Sequence, residues 1–498
     1  MYSIILFEQV IDRGFYIIFN YFRFIFDKKD LFQEARKEKI VSKIVHIGNG
    51  AGFSGDRFDA AQVLVQHLKS CDGPRYLMFE VLAERTIASA QKAKAANPEA
   101  GFSPYLDHYV IDILGDIQQA GITLVSNMGA ANPEAAARRI HELAAEQGLK
   151  PFKIAVLAGD DVREYLDDDA LLAAETMEGT SLAGRTICSA NVYLGGRHVA
   201  AALATGADIV LVGRTTDSAL VLGPLIHEFG WAEDELDKLA AGTICGHLLE
   251  CGGQVSGTYF ADPGFKDVPD LAHVGFPVTE VTADGSFVIT KPEGTGGLIS
   301  PATVTEQLLY EMHDPSRYLV PDVTADVTQM TVTQDASNRI RVAGVKGSLP
   351  PETLKITVCV EGGWLAEAEM SYCGANGLAR AELAGHVVKT RMAESGCNQE
   401  IRMDVFGAYS ALDGGILTDE RRASLRFDDD YRLRLSLVSE TRATAQKLHD
   451  ELQSLYCSGP AAGGGFRGSV TEQMSSASVL MPRAAIEPHV SVRDVPAG

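Results

Sequence analysis

From Lys43 onward, short apolar runs alternate with longer stretches of helical spacing, the signature of βα units feeding a parallel sheet. Runs at 44–48, 76–80, 122–127, 153–158, 186–189 and 208–213 predict strands. Most are followed by Gly, Asn or Asp and then by Ala-rich segments such as 133–147 and 199–205, which predict helices. In open parallel sheets and in barrels alike, ligands sit beyond the carboxyl ends of the strands, so chemistry is expected just after these runs. The pattern leaves open whether the sheet closes. After about residue 320, alternating strands are predicted at 327–333, 339–345, 354–360 and 365–372, with turns at 335–338 and 361–363. A helix fits 377–394, strands fit 401–406 and 432–438, and a further helix fits 443–455. The expected fold is therefore α/β, a mainly parallel sheet of βα units in 43–320. A second, α+β domain in 321–498 ends in a Gly-rich loop and a helix.

The first 42 residues stand apart as an aromatic-rich extension: nine of residues 1–26 are Phe or Tyr. Glu8, Asp12, Arg13 and Arg23 interrupt this stretch, which argues against a bilayer-spanning helix and leaves an interfacial amphipathic segment or an incidental extension. Composition narrows the function classes. With 44 Lys plus Arg against 66 Asp plus Glu the net charge is −22, and without a Lys/Arg-rich run to make a basic face, nucleic acid is not an expected partner. The eight cysteines include no CxxC pair, which disfavours a structural zinc site and fits a reducing, cytoplasmic setting.

Several strand ends carry candidate chemistry. Gly50, Gly52 and Gly55 form a GxGxxG after the first strand, and Glu80 ends the second, the layout of a dinucleotide fingerprint. Asp56 at the following helix start competes for the same amides, so NAD is disfavoured and a loop binding a substrate carboxylate or phosphate is preferred. Glu80, Glu84 and Arg85 place two carboxylates and a cation near one strand end, where the two acids can be driven apart into one acid and one base. Asn127 and Asn132 are placed to orient a carbonyl, although Asn132 equally suits a helix cap. Asp160 and Asp161 are adjacent acids that suit either a divalent cation or a helix start. Arg214 reads as a carboxylate clamp with Asp217 beside it. His247 and Glu250 lie nearby, but HxxE is not a zinc-protease spacing, and the sequence leaves metal dependence undecided. Lys291 with Gly294, Gly296 and Gly297 combines a cation with backbone amides, as phosphate sites do, and suits the phosphates of a CoA thioester. Gly463, Gly464 and Gly465 echo that loop. Each loop precedes a VTEQ segment in which Thr303 with Glu306, and Ser469 with Glu472, have capping-box spacing.

Taken in order, GNGAGFSGDR (48–57), FEVLAERT (79–86), NMGAANP (127–133), AGDDV (158–162), GADIVLVGRTTD (206–217), GTICGHLLECGGQVSGTYFAD (242–262), KPEGTGG (291–297) and GPAAGGG (459–465) resemble the acyclic terpene utilisation AtuA family. The resemblance runs from about Lys43 to the end. It implies a place in branched acyl or carboxylate catabolism, and, since some relatives carry an additional ferredoxin-like domain, a small separate partner subunit of that fold. The expected protein is an enzyme acting on a branched acyl-CoA or carboxylate by proton abstraction with addition or elimination, a hydratase or lyase. Glu80 or Glu84 is then general acid or base and Arg85 or Arg214 holds a carboxylate. The alternatives are a non-catalytic acyl-CoA-binding or assembly subunit and, third, a dinucleotide-dependent oxidoreductase. A homo-oligomer is the base-rate expectation.

Overall fold

The computed structural model describes residues 43–411, 414–426 and 429–497; the extension expected at 1–42 lies outside them. Six strands form on the six expected runs: β1 (Ile44–Asn49), β2 (Arg75–Phe79), β3 (Thr123–Ser126), β4 (Ile154–Ala158), β5 (Ile187–Val192) and β6 (Ile209–Val212). Five of them pair in parallel in the order β1-β2-β3-β6-β4. Their side chains are apolar at successive positions because both faces are covered. Tyr76, Met78, Val125 and Val210 enter one core, and Leu77, Phe79, Leu124 and Leu211 the other. Helices Ala60–Lys69 and Pro133–Glu146 cover the second of these faces, while Ala219–Phe229 and Leu236–Glu250 cover the first.

The sheet is less parallel than the sequence suggests. Next come β7 (Val278–Thr282), β8 (Phe287–Thr290), the short β9 (Tyr318–Leu319) and β10 (Thr324–Asp326), β11 (Thr331–Ala336), β12 (Arg339–Ala343) and β13 (Lys346–Ser348). Five more strands end the series: β14 (Thr353–Cys373), β15 (Arg402–Phe406), β16 (Asp430–Ser439), β17 (Gly463–Pro482) and β18 (Ser491–Val495). β7, β8, β12 and β11 extend the parallel core antiparallel beyond β1, and β18 closes the other edge antiparallel to β4. The result is an open, mixed ten-stranded sheet, to which the chain beyond residue 320 contributes β11, β12 and β18. The sheet is mixed because short turns, such as Asp284–Ser286 between β7 and β8, return the chain antiparallel, whereas a parallel return needs a crossover helix.

A second sheet has the order β15-β16-β14-β17, and β5 leaves the βα series to pair antiparallel with β14. The break expected at 361–363 is instead a bulge, so the two strands expected at 354–360 and 365–372 are one. Gly363 takes φ +82° against the Ser439 carbonyl, which allows the bend, and β17 pairs along both halves. Leu354, Ile356, Val358 and Val360 lie in the main core, and Ala366, Ala368, Met370 and Tyr372 lie in a separate core under helices Gly377–Glu394 and Arg442–Ser458. Here one face is covered, and β16 accordingly alternates Tyr431, Leu433, Leu435 and Leu437 inward.

Both expected capping boxes are replaced. Ser469 sits in β17 opposite Glu367, because pairing with β14 overrides a local helix signal. The helix Pro301–Leu309 starts earlier than Thr303: Ser300 is its cap, its Oγ accepting from Thr303 N at 3.2 Å while Thr303 Oγ1 accepts from Ser300 N at 3.0 Å. The two VTEQ segments thus share no structure. No helix among the described residues is long and apolar enough to cross a membrane. Because β14 carries Ile356 fully buried into the main core, Ile356→Ala is expected to lower unfolding free energy by about 2–5 kcal/mol. Val438→Ala, at an exposed side chain of β16, is expected to stay within about 0.5 kcal/mol. Chemical denaturation of the two variants measures both.

Candidate active site

The carboxyl ends of β1, β2 and β6 open onto a cavity of about 700 Å³. Two loops and the end of helix Leu236–Glu250 complete its walls. Asn49, ending β1, donates from Nδ2 to the carbonyls of Leu249 (2.6 Å) and Glu250 (3.0 Å), which fixes the end of that helix beside the sheet. Glu80 follows β2, and Oε1 accepts from Asn127 Nδ2 at 2.8 Å and Leu82 N at 3.1 Å. Asn127 in turn accepts from Val81 N through Oδ1 at 2.8 Å, so the amide orients the carboxyl from behind. Glu84 opens the helix Glu84–Ala96 one turn further on, and Arg85 lies at the mouth.

Arg214, after β6, is buried at the centre of this group. Its Nη1 donates to the Leu82 carbonyl and to Asp217 Oδ1 (2.9 Å), and Nη2 lies 3.9 Å from Glu84 Oε1. The guanidinium stacks 4.1 Å from the centroid of the Tyr193 ring. Tyr193 donates its hydroxyl to Glu84 and accepts one from Thr357 at 3.2 Å. Lys355 Nζ also lies 3.9 Å from Glu84 and 4.7 Å from the Tyr193 centroid. Behind Arg214, Asp160 Oδ2 accepts from Arg214 N at 2.8 Å and Asn191 Nδ2 at 3.0 Å.

These environments separate the acids. Burial pushes Glu80 well above the ordinary carboxyl range, reinforced by the Asp217 charge and only partly opposed by Arg214. Burial also raises Glu84, but Arg214, the Tyr193 hydrogen bond and Lys355 outweigh it, and the net shift is downward. Asp217 and Glu250 are raised by burial. Glu250 Oε1 lies 2.9 Å from His247 Nδ1, and His247 Nε2 lies 3.0 Å from the Leu308 carbonyl. A carbonyl only accepts, so Nε2 carries a proton, and a second proton is shared between Nδ1 and Glu250. Burial opposes the imidazolium, yet the Glu250 carboxylate and the Leu308 carbonyl bring His247 above its ordinary value.

Of the residues singled out in the sequence, the cavity brings together Gly52, Glu80, Glu84, Arg85, Arg214 and Asp217. Asn127 and Asp160 stand behind it, touching Glu80 and Arg214. The glycine-loop amides are already engaged: Gly50 N donates to Met78 O, Gly52 N to Asp56 Oδ2 at 2.9 Å and Gly55 N to the Tyr109 hydroxyl at 2.9 Å. Asp56 thus occupies the place expected for a ligand anion. Asn132 caps the helix Pro133–Glu146 and donates to the carbonyls of Pro98 and Ala100, away from the cavity. Lys291 donates to Thr295 O at 2.7 Å and the amides of Gly296 and Gly297 to the carbonyls of His273 and Pro269, so these groups are engaged within the protein, and neither they nor Gly294 line the cavity. Gly463, Gly464 and Gly465 belong to β17, the first two opposite Tyr372 and Ser371. Asp161 caps a short turn and accepts from Gln91. Among the described residues, no three His, Cys, Asp or Glu are grouped to hold a metal ion.

The structure adds Tyr193, Lys355, Glu250, Tyr259 and Glu311. The sequence offers Glu250 only within an HxxE spacing that is not that of a zinc protease, and not as a wall of this cavity. Tyr193 follows β5, whose strand runs past the expected end at 189. Tyr259 (φ 61°) and Glu311 (φ 58°) line the cavity in the left-handed region, a strain no sequence pattern announces.

The family model of the acyclic terpene utilisation family protein AtuA matches residues 45–492. No curated protein and no solved structure matches the chain.

Burial pushes Asp160 up to about 7, from 3.8 in an ordinary setting. The folded protein therefore holds this proton more tightly than the unfolded chain, and stability falls as pH rises between those values. Asp160→Asn is expected to remove that part of the fall, read as a smaller difference in denaturation midpoint between about pH 4 and about pH 7.5.

Proposed function

The chain belongs to the acyclic terpene utilisation family of AtuA, and from that membership we propose that it is an enzyme of acyclic terpene breakdown. It acts on a carboxylate or acyl-CoA by proton abstraction with addition or elimination, as a hydratase or lyase. The observation that carries this reading is the pair Glu80 and Glu84, which face one cavity with their proton affinities driven in opposite directions around one buried guanidinium. Such a pair supplies an acid and a base at one pH.

In this reading Glu84, held ionised and oriented by Tyr193, takes the proton from the carbon next to the substrate carbonyl. The electron pair left behind moves onto the carbonyl oxygen, where the guanidinium charge of Arg214 stabilises it. The pair then returns to form a carbon–carbon double bond as the bond from the next carbon to its hydroxyl breaks, and Glu80, which keeps its proton, delivers it to that hydroxyl, which leaves as water. Addition runs the same steps in reverse. Arg85 makes no ion pair among the described residues and stands at the mouth, a free cation for a carboxylate or phosphate of the ligand.

Deuterium incorporation tests this before the full reaction is known. Short straight and branched acyl-CoA thioesters incubated with the protein in heavy water are expected to exchange the proton next to the carbonyl. Glu84→Gln should slow that exchange by about 100-fold or more. Glu80→Gln should leave exchange within about tenfold while stopping net elimination, since only the second proton transfer is lost. Binding without exchange in the native protein would instead favour a non-catalytic acyl-CoA-binding subunit.

A further inference from the structure

Beside the acidic cavity lies a second one, of about 300 Å³, and Asp217 lines both. Its character is different. Val320 and Leu354 form buried walls, and at the rim Met177, Leu319 and Leu480 are 64%, 49% and 49% exposed. Single exposed apolar residues are ordinary on a protein surface, but three around the mouth of one apolar cavity are a concentrated patch that water solvates poorly. The lining also includes Tyr193, Lys355 and Asp217, members of or neighbours to the network that orients Glu84. The cavity thus joins apolar walls to a polar stretch of lining that it shares with the acidic cavity through Asp217.

The geometry points to this second cavity as the subsite for a hydrocarbon chain whose polar end reacts in the acidic cavity. The inference rests on the proposed reaction for the location of the polar end and adds where the chain lies and which residues set its length. β9, β14, β17 and the segment around Met177 all contribute walls. Met177 N donates to Ser478 O at 2.8 Å, so that segment is tied to β17. A chain buried here gains apolar contact at each carbon, whereas a two-carbon acyl group reaches none of the rim.

Calorimetric titration of the full chain with straight-chain carboxylates of two to ten carbons, and with their CoA thioesters, tests this. Native protein is expected to bind about fourfold tighter for each added methylene until the cavity is full. Met177→Asp and Leu480→Asp change exposed side chains, so the fold is retained, which thermal melting checks. They should weaken binding of the ten-carbon ligand tenfold or more and leave the two-carbon ligand within twofold. The free-acid and thioester arms show which of the two carries the chain. A native series without chain-length dependence, or a dependence that persists in both variants, would overturn the subsite. Heavy-water exchange on a two-carbon thioester separates the two ideas: exchange with a flat series leaves the reaction and removes the subsite, and a steep series without exchange does the opposite.

Discussion

A buried guanidinium organises this molecule. Arg214 is 3% exposed and carries its charge at every accessible pH, and taking such a charge out of water costs several kcal/mol unless the surroundings replace the lost hydration. The replacement comes from far-apart segments: the Leu82 carbonyl, Asp217, Glu84 and the face of Tyr193, with Asp160 holding the Arg214 backbone. Satisfying one cation therefore brings the ends of β2, β5 and β6 together, and Asp160 ties the end of β4 to the same residue through its backbone. The same requirement divides the acids. Glu84 has the guanidinium, the Tyr193 hydroxyl and Lys355 beside it and stays ionised, whereas Glu80, Asp217 and Glu250 are desolvated without enough positive charge and are raised.

The site needs both sheets. Tyr193 follows β5 and Lys355 lies on β14, so two groups around Glu84 come from the sheet that is not built from βα units. The departure of β5 puts its end next to β6: Leu194 N donates to Arg214 O at 3.3 Å and Thr216 N to Leu194 O at 2.9 Å. β14 and β17 run through the main core and into the separate one, and their near ends also wall the apolar cavity. The long ribbon is thus a structural brace and a part of the ligand-facing surface.

Much of the candidate site was legible because strand ends are legible. Glu80, Glu84, Arg85, Arg214 and Asp217 follow apolar runs, and parallel topology gathers such positions at one edge. Glycine motifs misled for a physical reason: an amide is useful to a ligand only if no internal acceptor has taken it. Asp56, Tyr109 and Met78 took those of the first loop, internal carbonyls took those of Gly296 and Gly297, and β17 absorbed Gly463 to Gly465. Asn132 fits the cap reading, since its side chain is saturated by helix and loop backbone.

What the sequence determined by itself was local: the periodicity of apolar residues, which set strands, helices and the positions of strand ends, and the ordered motifs that mark the family. The tertiary structure alone decided the partners. β5 and β14 are joined by pairs such as Asn191 with Thr357, far apart along the chain, and no nearby residue signals that pairing. His247, Glu250 and the Leu308 carbonyl likewise share protons only once two helices meet. Proton affinity is the clearest case. Glu80 and Glu84 are the same side chain four residues apart, and they differ because desolvation and the distance to Arg214 exist only in the packed molecule.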